Sequence, residues 1–182
     1  ALSRYALNES QLNVLARALG EVREKQGEKI AGLQPFKLGL VSNATTKLIA
    51  PSLCASALRY GVDLRIVEAD FNQVMQAATE PDSKVINSEP NAILLALDYR
   101  AYEDLQFGIK GSAENAVAYF DALRAAFRVR YKGTLIFQTV ACPPEQLFNA
   151  YDNTIAYTDR FLNHALSWLR AQSTNGRFDT GL

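Results

Sequence analysis

The run Ala92–Asp98 (A-I-L-L-A-L-D) holds six consecutive apolar residues without a polar interruption. A strand with one face in water alternates, because successive side chains point to opposite faces. An unbroken apolar run belongs to a strand covered on both faces. Such strands occur in parallel sheets, whose crossover connections carry helices. The rest of the chain supplies the pieces. Lys37–Ser42 (K-L-G-L-V-S), Val62–Glu68 (V-D-L-R-I-V-E) and Gly133–Thr139 (G-T-L-I-F-Q-T) read as three more short strands, and apolar residues at helical spacing separate them. Leu12, Leu15, Leu19 and Val22 predict a helix over residues 10–26, with Ser10 as N-cap and Gly27 as stop. Gly32 and Pro35 mark a loop. Leu48, Ile49, Leu53, Ala57 and Leu58 predict a second helix ending at Gly61, in which Pro51 marks a late start or a kink. Phe71–Thr79 predicts a short helix, and Pro81-Asp82-Ser83 a turn. Ser112 caps a long helix with Ala116, Val117, Phe120, Leu123 and Phe127 on one face. A last helix follows Cys142-Pro143-Pro144 and uses Ile155, Phe161, Leu162, Ala165, Leu166 and Leu169.

Strand and helix in alternation imply an α/β fold, a three-layer sandwich around a mainly parallel sheet. The 182 residues fit one domain, an N-terminal helix and loop (1–34) followed by βα repeats (35–182). Nineteen Lys+Arg balance nineteen Asp+Glu, which gives no basic surface for nucleic acid. No apolar run approaches the roughly 20 residues of a membrane helix. Cys54 and Cys142 are too few for a disulfide scaffold and fit a reducing compartment, so the expected location is cytoplasmic. The sequence opens at Ala1, its only methionine is Met75, and it shows four strands where sheets of this type commonly use five. The expectation is a piece of a longer multidomain protein.

Ligands of open α/β sheets bind at the carboxyl ends of the strands. Polar residues follow each strand at once: Ser42-Asn43-Ala44-Thr45-Thr46, Glu68-Ala69-Asp70-Phe71-Asn72-Gln73, Asp98-Tyr99-Arg100 and Gln138-Thr139. Ser42 is placed either as a nucleophile near helix N–H groups or, with Thr45 and Thr46, as a helix cap. The only histidine, His164, lies in the last helix with no evident route to Ser42. Asp98 and Arg100 either hold a polar ligand or pair with neighbours. Asn72 and Gln73 either donate to a ligand or tie a loop. Glu68 and Asp70 have no His or Cys nearby, so no metal is expected. Cys54 reads as core. Neither G-x-x-x-x-G-K-[ST] nor G-x-G-x-x-G occurs, and no cofactor is expected.

The strings L-V-S-N-A-T-T-K-L-I (40–49), G-V-D-L-R-I-V-E-A-D-F-N-Q-V (61–74), P-D-S (81–83), L-A-L-D-Y-R (95–100), I-F-Q-T (136–139) and P-P-E-Q-L-F (143–148) come in an informative order. Over about residues 35–170 the chain resembles the N-terminal domain of the FkbH-like proteins. These belong with the haloacid-dehalogenase-like phosphatase superfamily and load a glyceryl unit onto an acyl carrier protein in polyketide assembly. The resemblance implies a flavodoxin-like or SGNH-like sheet, with the phosphatase-like chemistry in a second domain that opens with D-x-D-x-T, a motif this sequence lacks. Ser42 matches the SGNH serine after the first strand. Asn72 stands for an oxyanion donor and Asp98 falls at the third-strand block, while the Gly-x-Asn-Asp and Asp-x-x-His blocks are not present. The implied role is binding of substrate, of an acyl carrier protein or of the enzyme's own C-terminal phosphatase-like domain. The rim Ser42, Asn43, Thr45, Asn72, Asp98, Arg100 and Gln138 would carry it. Two alternatives stand beside this: a serine esterase or acyltransferase using Ser42 with a base outside the chain, and a purely structural interaction domain.

Overall fold

The computed structural model describes residues 6–26, 30–98, 101 and 113–138. In chain order the elements are α1 (Glu9–Gln26), β1 (Gln34–Ser42), α2 (Ile49–Leu58), β2 (Val62–Glu68), α3 (Val74–Thr79), α4 (Lys84–Asn87), β3 (Ala92–Ala96), α5 (Ala113–Arg130) and β4 (Thr134–Phe137). The strands form one sheet in the order β2-β1-β3-β4, every neighbouring pair parallel. This is an α/β fold, consistent with a flavodoxin-like sandwich. Ser112, Cys142, His164 and the expected last helix lie outside the described residues.

The apolar run does what its lack of alternation requires. β3 lies between β1 and β4, and its residues divide between two cores on opposite faces of the sheet. Ile93 and Leu95 join Val41, Val85, Leu123 and Phe127 under α3, α4 and α5, whereas Ala92 joins Leu38 and Leu64 with Leu53 and Ala57 of α2. Phe127 and Leu123 are fully buried. Truncating such an aromatic side chain to alanine costs about 3–5 kcal/mol.

β1 starts at Gln34, three residues before the expected Lys37. Pro35 is tolerated because alternate residues of a strand turn their N–H groups to opposite neighbours. Gln34 donates to Gly61 on the β2 side (2.8 Å), so the position of Pro35 faces β3, whose pairing begins only at Leu38. Pro51 lies in the first turn of α2, where N–H groups have no partner within the helix, so the helix is not interrupted.

The helix starts correct two expectations and add one helix. α1 is capped by Asn8 and not by Ser10: Asn8 Oδ1 accepts from the Gln11 N–H (2.9 Å) while Gln11 Oε1 accepts from the Asn8 N–H (3.0 Å), a reciprocal capping box. α3 begins at Val74 because Asn72 is in the left-handed region (φ 56°), which asparagine tolerates better than most residues. The Pro81-Asp82-Ser83 turn runs directly into α4, a single turn. The buried Ser83 hydroxyl donates to the Ala77 carbonyl (2.6 Å) and accepts from the Ile86 N–H (3.4 Å).

Two contacts fix the layers. A Cβ at Gly39 would lie 2.5 Å from Val85 Cγ1 and 3.1 Å from Ile93 Cγ1, so α4 sits on β1 at a distance only glycine permits. On β2, the side chain of Asp63 is 1% exposed and ion-paired. Arg23 of α1 bonds Asp63 Oδ1 through Nε (3.0 Å) and Nη2, and Arg65 Nε lies 3.5 Å from Oδ2. Arg23 Nη2 also donates to the Leu64 carbonyl (2.7 Å), which Cys54 Sγ approaches at 3.2 Å. Alternate residues of β2 turn to β1, as the Gly61 carbonyl does in accepting from Gln34, so the Leu64 carbonyl turns away from β1, to the side where the described residues place no further strand.

Candidate functional site

The chain passes from β1 to β2 on one side and then to β3 on the other. The carboxyl ends of β1 and β3 therefore flank the point where the strand order reverses, where ligands of such sheets commonly bind. Ser42 and Asn43 leave β1 there, and Asp98 leaves β3. The Ser42 side chain is 8% exposed. Its hydroxyl donates to the Ala96 carbonyl (2.7 Å) and accepts from the Ala44 N–H (3.0 Å). Asn43 Nδ2 donates to Asp98 Oδ1 (2.6 Å), and Asn43 Oδ1 accepts from the Asp98 N–H (3.0 Å). The polar groups at the reversal point thus bond to one another across it.

The capping alternative for Ser42, Thr45 and Thr46 is not the arrangement seen. The N-cap of α2 is Leu48, with no side-chain bond, and the first N–H groups of the helix, those of Ile49 and Ala50, are taken by the Thr46 carbonyl.

Open space lies one strand over. A cleft of about 420 Å³ opens at the carboxyl ends of β1 and β2. The loop after β1 lines it with Ser42, Thr45, Thr46 and Lys47, and the end of β2 with Glu68, Asp70 and Phe71. Lys84 of α4 completes it, holding Asp70 Oδ1 at 2.6 Å. That pair also lines a smaller hollow of about 120 Å³ with Gln73, Glu80 and Asp82. Both partners are more than half exposed, so the pair contributes below about 1 kcal/mol. It borders both spaces. Among the described residues no three His, Cys, Asp or Glu side chains gather as metal ligands.

The expected rim residues divide accordingly. Ser42 and Thr45 line the cleft; Asn43 and Asp98 bond to each other across the reversal point. Asn72 is exposed and serves the turn through its backbone. Gln138 is exposed at the end of β4, where its N–H donates to the Leu95 carbonyl (3.2 Å), on the far side of β3 from the cleft. Arg100 lies outside the described residues. Lys47 and Lys84 were not expected. Lys47 directly follows the polar string after β1 and was recoverable from the sequence, whereas Lys84 arrives only through α4.

Fold and cleft together define an α/β domain with a parallel sheet and a recess at its strand ends. No protein-family model and no curated protein matches the sequence. Among solved structures it is similar to the crystal structure of the N-terminal part of the protein BF1531 from Bacteroides fragilis, containing a phosphatase domain complexed with Mg. The TM-score is 0.72 at 12% sequence identity, over 95% of this chain and 44% of that one. The chain thus spans less than half of its structural neighbour, and at that identity the likeness is one of fold. Among the described residues no helix is long and apolar enough to cross a membrane.

Proposed function

We propose that the chain is the SGNH-like N-terminal module of an FkbH-like enzyme. In it the module binds, and a separate phosphatase-like domain carries out the chemistry. The observation that carries this reading is the state of Ser42: a buried hydroxyl that donates to the Ala96 carbonyl and, among the described residues, to no base. A nucleophilic serine needs a base within hydrogen-bond reach. The open cleft beside it has the concave form that binding requires. The solved neighbour supports the same division, since it is an N-terminal part that contains a phosphatase domain and this chain spans 44% of it. The partners are those the resemblance implies, an acyl carrier protein and the enzyme's own phosphatase-like domain, in loading a glyceryl-type unit.

Calorimetric titration of the chain with a phosphopantetheinylated acyl carrier protein tests the reading. Saturable binding is expected, unaltered in heat by a serine-directed fluorophosphonate and weakened by Thr45→Tyr, which fills the exposed cleft wall. No binding would overturn the carrier role. Fluorophosphonate labelling of Ser42 together with turnover of short acyl esters would replace it with the esterase reading.

A further inference from the structure

The cleft between the ends of β1 and β2 holds four charged side chains, and two of them cancel: Asp70 and Lys84 neutralise each other at 2.6 Å. The other two do not. Among the described residues neither the Lys47 ammonium nor the Glu68 carboxylate has a hydrogen-bond or ion-pair partner. Glu68 is half-buried at the strand end, whereas Lys47, from the loop after the neighbouring strand, is exposed. A half-buried carboxylate without a partner is unfavourable unless a ligand supplies the opposite charge, and the exposed Lys47 ammonium is available to an anionic group of the same ligand. A simple anion entering for Lys47 meets Glu68, and a simple cation entering for Glu68 meets Lys47. A molecule with both signs satisfies both.

We propose that this cleft binds a small zwitterion of the α-amino acid type, its ammonium on Glu68 and its carboxylate on Lys47, with the Thr45 and Thr46 hydroxyls beside the charged end. Phe71 on the same wall is 67% exposed, an unusual state for a phenylalanine, and offers its ring to an apolar side chain of the ligand. A space of about 420 Å³ is ample for one such molecule. The proposal rests on the binding-module reading in using the same cleft, but the two fail separately, since the carrier titration involves no amino acid.

L-Phenylalanine serves as the probe, against its methyl ester, which keeps only the ammonium, and N-acetyl-phenylalanine, which keeps only the carboxylate. Amide-shift titrations of the chain near pH 7 are expected to show L-phenylalanine binding at the cleft and each half-charged analogue binding at least about tenfold more weakly. Lys47→Met should abolish the preference over the methyl ester and leave that over the acetyl form; Glu68→Gln should do the reverse. Absence of cleft shifts with L-phenylalanine, analogues that bind equally well, or variants of native circular dichroism that keep both preferences would each overturn the proposal.

Discussion

Asn43 and Asp98 exchange two hydrogen bonds across the point where the strand order reverses, side chain to side chain at 2.6 Å and side chain to backbone at 3.0 Å. They are 55 residues apart, so the pair joins the end of β1 to the end of β3 where the sheet has no ladder bonds left. Asn43→Ala and Asp98→Ala should each lower stability by about 1–2 kcal/mol, because a partly buried partner then loses a charge-assisted bond. Urea denaturation of both single variants and the double variant checks this. The expected coupling is on the order of 1 kcal/mol, and additive losses would show that the bond is not a stabilising one.

Gly39 marks the closest approach of α4 to the sheet. Gly39→Ala places a methyl group against Val85 Cγ1 and should destabilise the domain by about 1–3 kcal/mol through overpacking. Val85→Ala in the same chain removes the opposing methyls. The double variant should therefore melt higher than the sum of the two single losses predicts, a comparison that thermal denaturation makes directly.

Arg23 compensates the buried charge of Asp63 from a helix 40 residues away in sequence. Arg23→Met leaves that charge without its main partner, with an expected loss of about 3–5 kcal/mol. Arg23→Lys restores charge but not the fork that bonds Asp63 and the Leu64 carbonyl together, and should recover only part of the loss. The denaturant midpoint of Arg23→Lys should lie between those of Arg23→Met and the unsubstituted chain; a midpoint equal to that of the unsubstituted chain would show that geometry contributes nothing.

Three weak acids are held neutral by their surroundings. Burial pushes the Cys54 thiol up, partly offset by the Arg23 charge; burial raises Tyr119; and burial raises Tyr131 against the opposing charge of Arg128. Each therefore keeps its proton to higher pH in the folded chain than in the unfolded one. The stability they provide is fully present below their unfolded values and is lost as pH rises through the folded ones. Melting temperature should decline from about pH 8.5 upward, and Cys54→Ala should flatten the first part of that decline.

The elements whose shape follows from local chemistry were legible in the sequence. The unbroken apolar run of β3 and the Phe120, Leu123 and Phe127 face of α5 specify burial through spacing alone. What escaped had two causes. Some signals were local but ambiguous: two polar residues near the start of α1 are competent caps, and only the Gln11 side chain decides for Asn8 over Ser10. Others have no local trace. The Asn43–Asp98 and Arg23–Asp63 pairs join positions 55 and 40 residues apart, and no spacing rule connects them. For the same reason the rim was legible as a set of strand ends, but not its division into a hydrogen-bonded pair beside β3 and a cleft beside β2. That division depends on side chains satisfying one another across the sheet.

The contact of Arg23 with the Leu64 carbonyl reaches beyond the stability of α1. A strand adding itself to β2 would have to strip the guanidinium from that carbonyl and leave the carboxylate of Asp63 uncovered, a double loss at one residue step. Among the described residues, the β2 border of the sheet is thereby guarded against recruitment of a further strand.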